Sequence, residues 1–279
     1  MPRAQTGISG FDQISQGGFV QNSTNVILGG PGSGKSTFLL QFLWNGVTIF
    51  NENGLYCSFE PDIIETLKDG LSFGWDFARL NEQNRVKFLK FSPETSIEEL
   101  KSELTKIISA YSIRRLCIDP VSIISLTKKQ DKIRQALFDL TSLTKRLNTT
   151  TLLADELIEP ETPKRNLQPN KADAINFLAD SITILYESNP QKKSPKDKKK
   201  NKPIPTRSIR ISKMRRTNHL RKLAGMEITN QGIEIYSDSP NLPQLPPQPI
   251  QPPTQPMQQI PPQPLQPPQL PPPQPPAQE

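Results

Sequence analysis

The chain has 279 residues, 34% of them hydrophobic and 22% charged, with a formal net charge of +7 and two cysteines. That length suits one large or two small domains, but the composition is too uneven for length alone to decide. With no apolar run near about 18 residues, no charged-then-apolar leader and too few cysteines for a disulfide framework or metal cluster, neither membrane insertion nor secretion is indicated, and a cytoplasmic chain with reduced, buried thiols is expected.

The first strong signal is the apolar run Val26-Ile27-Leu28, followed by Gly29-Gly30-Pro31-Gly32-Ser33-Gly34-Lys35-Ser36 and a helical pattern over 35–46 that opens Thr37-Phe38-Leu39-Leu40. A strand, a glycine loop matching G-x-x-x-x-G-K-[ST] and a helix, in that order, are what a phosphate-binding loop requires. Glycines let successive N–H groups turn inward on one anion, and the following helix adds partial positive charge at its N-terminus. Gly30, Pro31, Gly32, Ser33, Gly34, Lys35, Ser36 and Thr37 are therefore the candidate triphosphate site. Lys35 would reach the outer phosphates of ATP, and the Ser36 hydroxyl would take one position on Mg²⁺.

Beyond the loop, strand-like runs alternate with helical patterns: Leu55–Phe59 then 62–73, Val86–Phe91 then 96–110, Leu116–Ile118 then 130–147, and Thr150–Ala154. This alternation predicts an α/β fold with a mostly parallel central sheet covered by helices on both faces. In 96–110 the positions Ile97, Leu100, Leu104, Ile107 and Ile108 recur at helical steps and make one face to bury. Two strand ends carry acids suited to ATP hydrolysis. Asp119 closes Arg115-Leu116-Cys117-Ile118-Asp119 and fits a metal-orienting carboxylate, the alternative being a cap on the turn before Pro120. Glu60, after Tyr56-Cys57-Ser58-Phe59, is the candidate base for aligning water, unless it only places charge at the start of the helix near Pro61 and Asp62.

After an irregular stretch with Pro160, Pro163 and Pro169, the short runs Ser181–Tyr186, Arg207–Lys213, Leu223–Ile228 and Ile233–Tyr236 are predicted as antiparallel strands at one side of the sheet. Residues 192–202 hold seven lysines against Asp197, a net +6 that leaves only +1 for the rest of the chain. Such a run between two strands reads as a solvated hairpin loop or as a site for an anionic partner, DNA included. From Pro240 onward there are 18 prolines and 11 glutamines with one charged side chain, a composition that cannot build a core. The expected organisation is thus one domain over 1–236 and a disordered, partly polyproline II tail over 237–279 that either spaces or recruits a protein partner.

Several further pieces sharpen the reading: Thr6-Gly7-Ile8-Ser9-Gly10-Phe11-Asp12, Gly17-Gly18, Gln41-Phe42-Leu43-Trp44-Asn45-Gly46, Ser72-Phe73-Gly74-Trp75-Asp76, and Lys213-Met214-Arg215-Arg216-Thr217-Asn218-His219. Together with the loop they resemble the KaiC-like branch of the RecA-fold ATPases, in a single-domain form, over roughly residues 5–236. The resemblance implies a homo-oligomeric ring, usually six-membered, with ATP between neighbours and Lys213 and Arg215 as the pair that reaches across the interface. Alternate positions on a strand point to one face, so both cations could be presented together; without the resemblance they would read as ordinary surface charges. Glu156 resembles the family's acidic sensor, and His219 matches the last motif without implying a metal.

The chain also departs from the family pattern. Glu60-Pro61 stands where many relatives have two glutamates, which implies slow hydrolysis, and Arg216 replaces the usual glycine of the finger motif. Asn176 and Phe177 stand where two-domain members carry a phosphorylated Ser-Thr pair, so autokinase activity is not expected. The leading reading is an ATP-driven or ATP-gated ring that signals through its nucleotide state. A DNA-binding recombination or repair accessory and a nucleotide-dependent scaffold are the alternatives.

Overall fold

Apolar runs too short for helices, separated by amphipathic ones, bury both faces only by stacking as a sheet between helical layers. The computed structural model describes residues 1–60, 62–122, 130–156, 177–187 and 207–236. In chain order these form β1 (Arg3–Ala4), α1 (Phe11–Ile14), β2 (Phe19–Val20), β3 (Thr24–Gly29), α2 (Lys35–Thr48), β4 (Asn53–Ser58), α3 (Ile63–Ser72), α4 (Phe77–Glu82) and β5 (Val86–Lys90). Then follow α5 (Ile97–Ala110), β6 (Ile113–Asp119), α6 (Gln130–Arg146), β7 (Thr150–Glu156), β8 (Ser181–Glu187), β9 (Arg207–Met214), β10 (Ala224–Thr229) and β11 (Gly232–Tyr236). The lysine run at 192–202, Pro160, Pro163, Pro169, Asn176 and the tail over 237–279 lie outside the described residues.

Among the described residues nine strands make one sheet in the order β11-β10-β9-β8-β3-β7-β6-β4-β5, and β1 pairs with β2 apart from it. From β8 to β5 every neighbouring pair is parallel, whereas β9, β10 and β11 return antiparallel. The α/β class, the parallel centre and the antiparallel edge are as expected. One expectation is corrected: β8 runs parallel to β3, with Asn25 opposite Ser181 and Gly29 opposite Leu185, and only its other edge meets β9 antiparallel. The long connection that precedes it is what allows a parallel return. Its short alternating pattern resembled an edge strand, yet Ser181, Ile182, Thr183 and Leu185 are all buried.

Strand alternation divides the core in two. Ile27, Tyr56, Cys117, Leu152 and Ala154 face one side, where α2 brings Phe38, Leu39, Phe42 and Leu43. Val26, Leu28, Leu55, Leu116 and Leu153 face the other, against Leu100, Leu104 and Ile108 of α5 and Ile133, Leu137 and Leu140 of α6. Each such buried Val, Leu, Ile or Phe side chain contributes about 1.5–3 kcal/mol. Ser96 caps α5 by accepting from the Glu99 amide at 3.1 Å, so the predicted apolar face of that helix is seated from its first residue. Helix α4, not anticipated, is capped by Asp76 and buries Phe77 and Leu80.

The motif Thr6–Asp12 is a structural strap. The half-buried Asp12 carboxylate accepts from the Thr6 amide at 2.9 Å, the Thr6 hydroxyl at 2.8 Å and the Gly7 amide at 2.9 Å, while desolvation pushes its pKa upward. Asn45 Nδ2 donates to the Thr6 carbonyl at 3.1 Å, and Ile235 N donates to the Ser9 carbonyl at 2.9 Å, tying the strap to α2 and β11. Beneath it lies Arg115, only 1% exposed. Its Nε meets Glu52 Oε2 at 2.6 Å, Nη1 donates to the Phe42 carbonyl at 2.9 Å and Nη2 to the Gln5 carbonyl at 2.8 Å, with the guanidinium over the Phe42 ring. Gly46 is what leaves it room, since a Cβ there would come within 2.6 Å of Arg115 Nε. Among the described residues no helix is long and apolar enough to cross a membrane.

Two outcomes are expected. Gly46→Ala forces a tethered guanidinium aside and costs about 1–3 kcal/mol of unfolding free energy in urea titration, against the modest gain alanine brings to an unhindered helix site. Cys57 and Cys117 are both buried with thiol pKa values pushed up by desolvation. The native protein therefore shows no thiol reactive to Ellman's reagent, and the denatured chain shows both.

Candidate nucleotide-binding site

The site begins where β3 can no longer pair. Gly29 is the last residue of that strand, level with Glu156 of β7 on one side and Leu185 of β8 on the other, so the chain leaves over the carboxyl edge of the parallel strands. Gly32 and Gly34 take φ of 73° and 99°, left-handed values that residues with a Cβ rarely adopt, and the loop turns directly into α2 at Lys35. Lys35 curls back over this loop, its Nζ donating to the carbonyls of Gly29 at 2.8 Å and Gly30 at 3.0 Å. Pro31 and Gly32 are exposed, Thr37 is half-buried, and the buried Ser33 Oγ has no hydrogen-bond partner among the described residues. Around Gly30 the space beside the backbone is open. The residues Gly30–Thr37 thus make a contiguous loop and helix start, with the Lys35 ammonium held on the Gly29 and Gly30 carbonyls.

Beside it, β6 brings Asp119 to the same edge. Asp119 Oδ2 accepts from Ser36 Oγ at 2.6 Å and from the Tyr56 hydroxyl at 2.7 Å. Ser36 and Asp119, far apart in sequence, therefore share a hydrogen bond at the start of α2, and the carboxylate faces the loop. Tyr56 is wholly buried, and burial together with the neighbouring Asp119 charge holds its phenol well above the usual range. A hydroxyl and a carboxylate side by side are hard oxygen donors of the kind Mg²⁺ prefers.

Glu60 lies two residues beyond Ser58, which is level with Asp119 in the sheet. It is exposed at the same edge, and its carbonyl accepts from Lys90 Nζ at 3.2 Å. Helix α3 has its own cap in Asp62, which accepts from the Ile64 amide at 2.9 Å. At the end of β7, Glu156 is exposed, and the preceding Asp155 is the less expected residue. Its carboxylate accepts from the Glu156 amide at 2.9 Å and from the Ser122 hydroxyl, and burial raises its pKa. Sequence reasoning passed over both Tyr56 and Asp155. The signals were a phenol in a fully buried strand, which must find a partner, and an acid one position inside a strand end.

Lys213 and Arg215 are elsewhere. Met214 pairs with Ser181, and Ser181 pairs with Asn25, so these cations sit level with the amino end of β3 whereas the loop leaves its carboxyl end. Four residues of strand, about 13 Å, separate the two levels. Lys213 Nζ and Arg215 Nη2 both donate to the Phe177 carbonyl, at 3.5 Å and 3.0 Å, so the pair does share a side. The structure does not bring either to this chain's own phosphate loop. Arg216 holds a left-handed φ of 62° without being glycine. Farther on, the His219 ring nitrogens are buried without a hydrogen-bond partner among the described residues, and desolvation lowers the ring's pKa.

Comparison with known proteins agrees with this architecture. Residues 4–240 match the profile of the KaiC ATPase family. The circadian clock oscillator protein KaiC of Parathermosynechococcus lividus is 31% identical over 246 residues, 85% of this chain and 42% of that protein. Its counterpart in Thermostichus vulcanus is 32% identical over 83% of this chain and 43% of its own length. The protein of the same description from Synechococcus elongatus is 29% identical over 84% of this chain and 44% of its own. The chain spans less than half the length of the curated relatives it matches.

Tyr56→Phe keeps the ring and deletes one of the two hydroxyls on a buried carboxylate. A loss of about 1–3 kcal/mol in unfolding free energy is expected from denaturant titration, with the sheet's circular dichroism unchanged.

Proposed function

Because this chain belongs to the KaiC family of ATPases, we propose that it binds Mg²⁺-ATP on Gly30–Thr37 and hydrolyses it at seams between copies of itself arranged in a homo-oligomeric ring, six-membered by analogy with the family. The observation that carries this reading is the separation within one chain. The cradle opens at the carboxyl end of β3, and Lys213 and Arg215 stand level with its amino end. A head-to-tail arrangement sets the cations of one copy beside the cradle of the next, and repetition of such a contact closes into a ring.

The residues fit the substrate and the metal. The Gly29 and Gly30 carbonyls hold Lys35 Nζ, which would exchange them for phosphate oxygens, and the backbone amides of the glycine loop would face the same anion. Ser36 and Asp119 would hold Mg²⁺, which when bound neutralises charge on the β- and γ-phosphates. Glu60 aligns the attacking water and accepts its proton; Arg215 from the neighbour, with Lys213 beside it, meets the charge that builds on the transferring phosphoryl group. Phe177 offers no hydroxyl, in keeping with hydrolysis rather than self-phosphorylation as the proposed reaction.

The relatives are named for circadian oscillation, and for this chain the corresponding proposal is signalling through nucleotide state in the cytoplasm. The proline-glutamine tail is proposed to space the domain or to recruit a protein partner. A nucleic-acid role is the weaker reading, because outside the lysine run at 192–202 the net charge is only +1.

Lys35→Ala is expected to abolish binding of a fluorescent ATP analogue, whereas Arg215→Ala binds it normally and turns over at least about 10²-fold more slowly. Mixing the two variants restores turnover, because a seam with the loop of the Arg215→Ala copy and the finger of the Lys35→Ala copy is intact. Light scattering with Mg²⁺-ATP reads the assembled mass. A persistent monomer that hydrolyses ATP at the wild-type rate, or full turnover by Arg215→Ala, refutes the shared site.

A further inference from the structure

Asp180, on which sequence reasoning placed no role, joins the first residue of β3, Lys145 of α6 and Arg215. It is 8% exposed at the entrance to β8. Its Oδ2 accepts from the Thr24 amide at 3.0 Å and from Lys145 Nζ of α6 at 2.6 Å; its own amide donates to the Thr24 carbonyl at 2.7 Å. Residue 180 is therefore stitched by main chain and side chain to the first residue of β3, the strand that ends in the phosphate loop.

The same residue holds the finger. Arg215 N donates to the Asp180 carbonyl at 2.8 Å, and Arg215 Nη1 stands 3.9 Å from Asp180 Oδ1. The other guanidinium nitrogen, Nη2, donates to the carbonyl of Phe177, three residues before Asp180. Arg215 is thus fixed at its backbone and steered at its tip by one short stretch of chain, yet its side chain remains 44% exposed. The looseness of the ion pair has a visible origin. Lys145 is on the other oxygen at 2.6 Å and takes much of the carboxylate's field, so the guanidinium is aimed without being locked into a closed, bidentate pair.

We infer that Asp180 is the positioning residue of Arg215: with Lys145 sharing its charge, it presents the guanidinium outward, toward the phosphoryl group bound by an adjoining copy. This inference rests on the shared-site reading. A merely structural Asp180 would matter equally in every copy, whereas a positioning residue matters only in the copy that supplies the finger.

The mixing assay separates these. Asp180→Asn placed on the Lys35→Ala copy, which lends the finger, lowers the restored turnover about tenfold, in line with the cost of misplacing a reacting group. The same substitution on the Arg215→Ala copy, which lends the loop, leaves restored turnover within about twofold and the affinity for the fluorescent ATP analogue unchanged. Equal losses in both placements, or no loss in either, overturn the inference. If Asp180→Asn does not fold, Lys145→Gln in the same two placements replaces it: the unshared carboxylate closes on Arg215 and restored turnover falls several-fold on the finger copy alone, and its persistence at full level overturns the inference. Failure of the unmodified Lys35→Ala and Arg215→Ala mixture to recover any activity strikes the shared-site reading itself, a result distinct from either.

Discussion

A strand hydrogen-bonded along both edges and buried on both faces has no freedom in where its chain emerges. β3, between β7 and β8, is such a strand, with all six residues buried. Everything chemical follows from that confinement. The chain must leave over the carboxyl edge; glycines with left-handed φ let it turn at once, and α2 then starts with its free N–H groups aimed back at the turn. Because the neighbouring strands are parallel, their ends arrive at the same edge, bringing Asp119, Glu60, Asp155 and Glu156 to the side of the sheet from which the loop departs.

What could be read from residues alone was whatever is local. The phosphate loop declares itself in eight consecutive positions, and α5 in a helical repeat with Ser96 ahead of it; neither needs a distant partner to be recognised. Asp119 was legible because a strand ending in an acid is a local pattern too. Contacts across long stretches of sequence were not. Tyr56 finds Asp119 only when β4 and β6 pair, Arg115 finds Gln5, Phe42 and Glu52 only when the strap and α2 are in place, and no periodicity marks either. The direction of β8 was misjudged for a related reason: alternation describes the faces of a strand and is silent on which way the neighbours run. Lys213 and Arg215 look like surface charges by composition, and only the family resemblance singled them out.

The two ends of β3 are occupied by different kinds of chemistry. At one, an ammonium rests on carbonyls beside a carboxylate shared by two hydroxyls. At the other, the Asp180 carboxylate is shared between an ammonium and a guanidinium. Among the described residues Lys213 and Arg215 belong to the second end alone, while at the first Arg207 donates from Nε to the Gly32 carbonyl at 3.3 Å. This division within one chain is what the proposed sharing of a site between copies rests on.

The buried guanidinium of Arg115 bears on how such a molecule can move. All of its nitrogens are engaged, and one of them clasps the Phe42 carbonyl halfway along α2, while Gly46 closes over its stem. The helix behind the phosphate loop is therefore bolted to the floor of the domain and cannot slide like a piston when an anion arrives. Accommodation falls to the five loop residues ahead of Lys35, and the cradle yields while its backstop stays still.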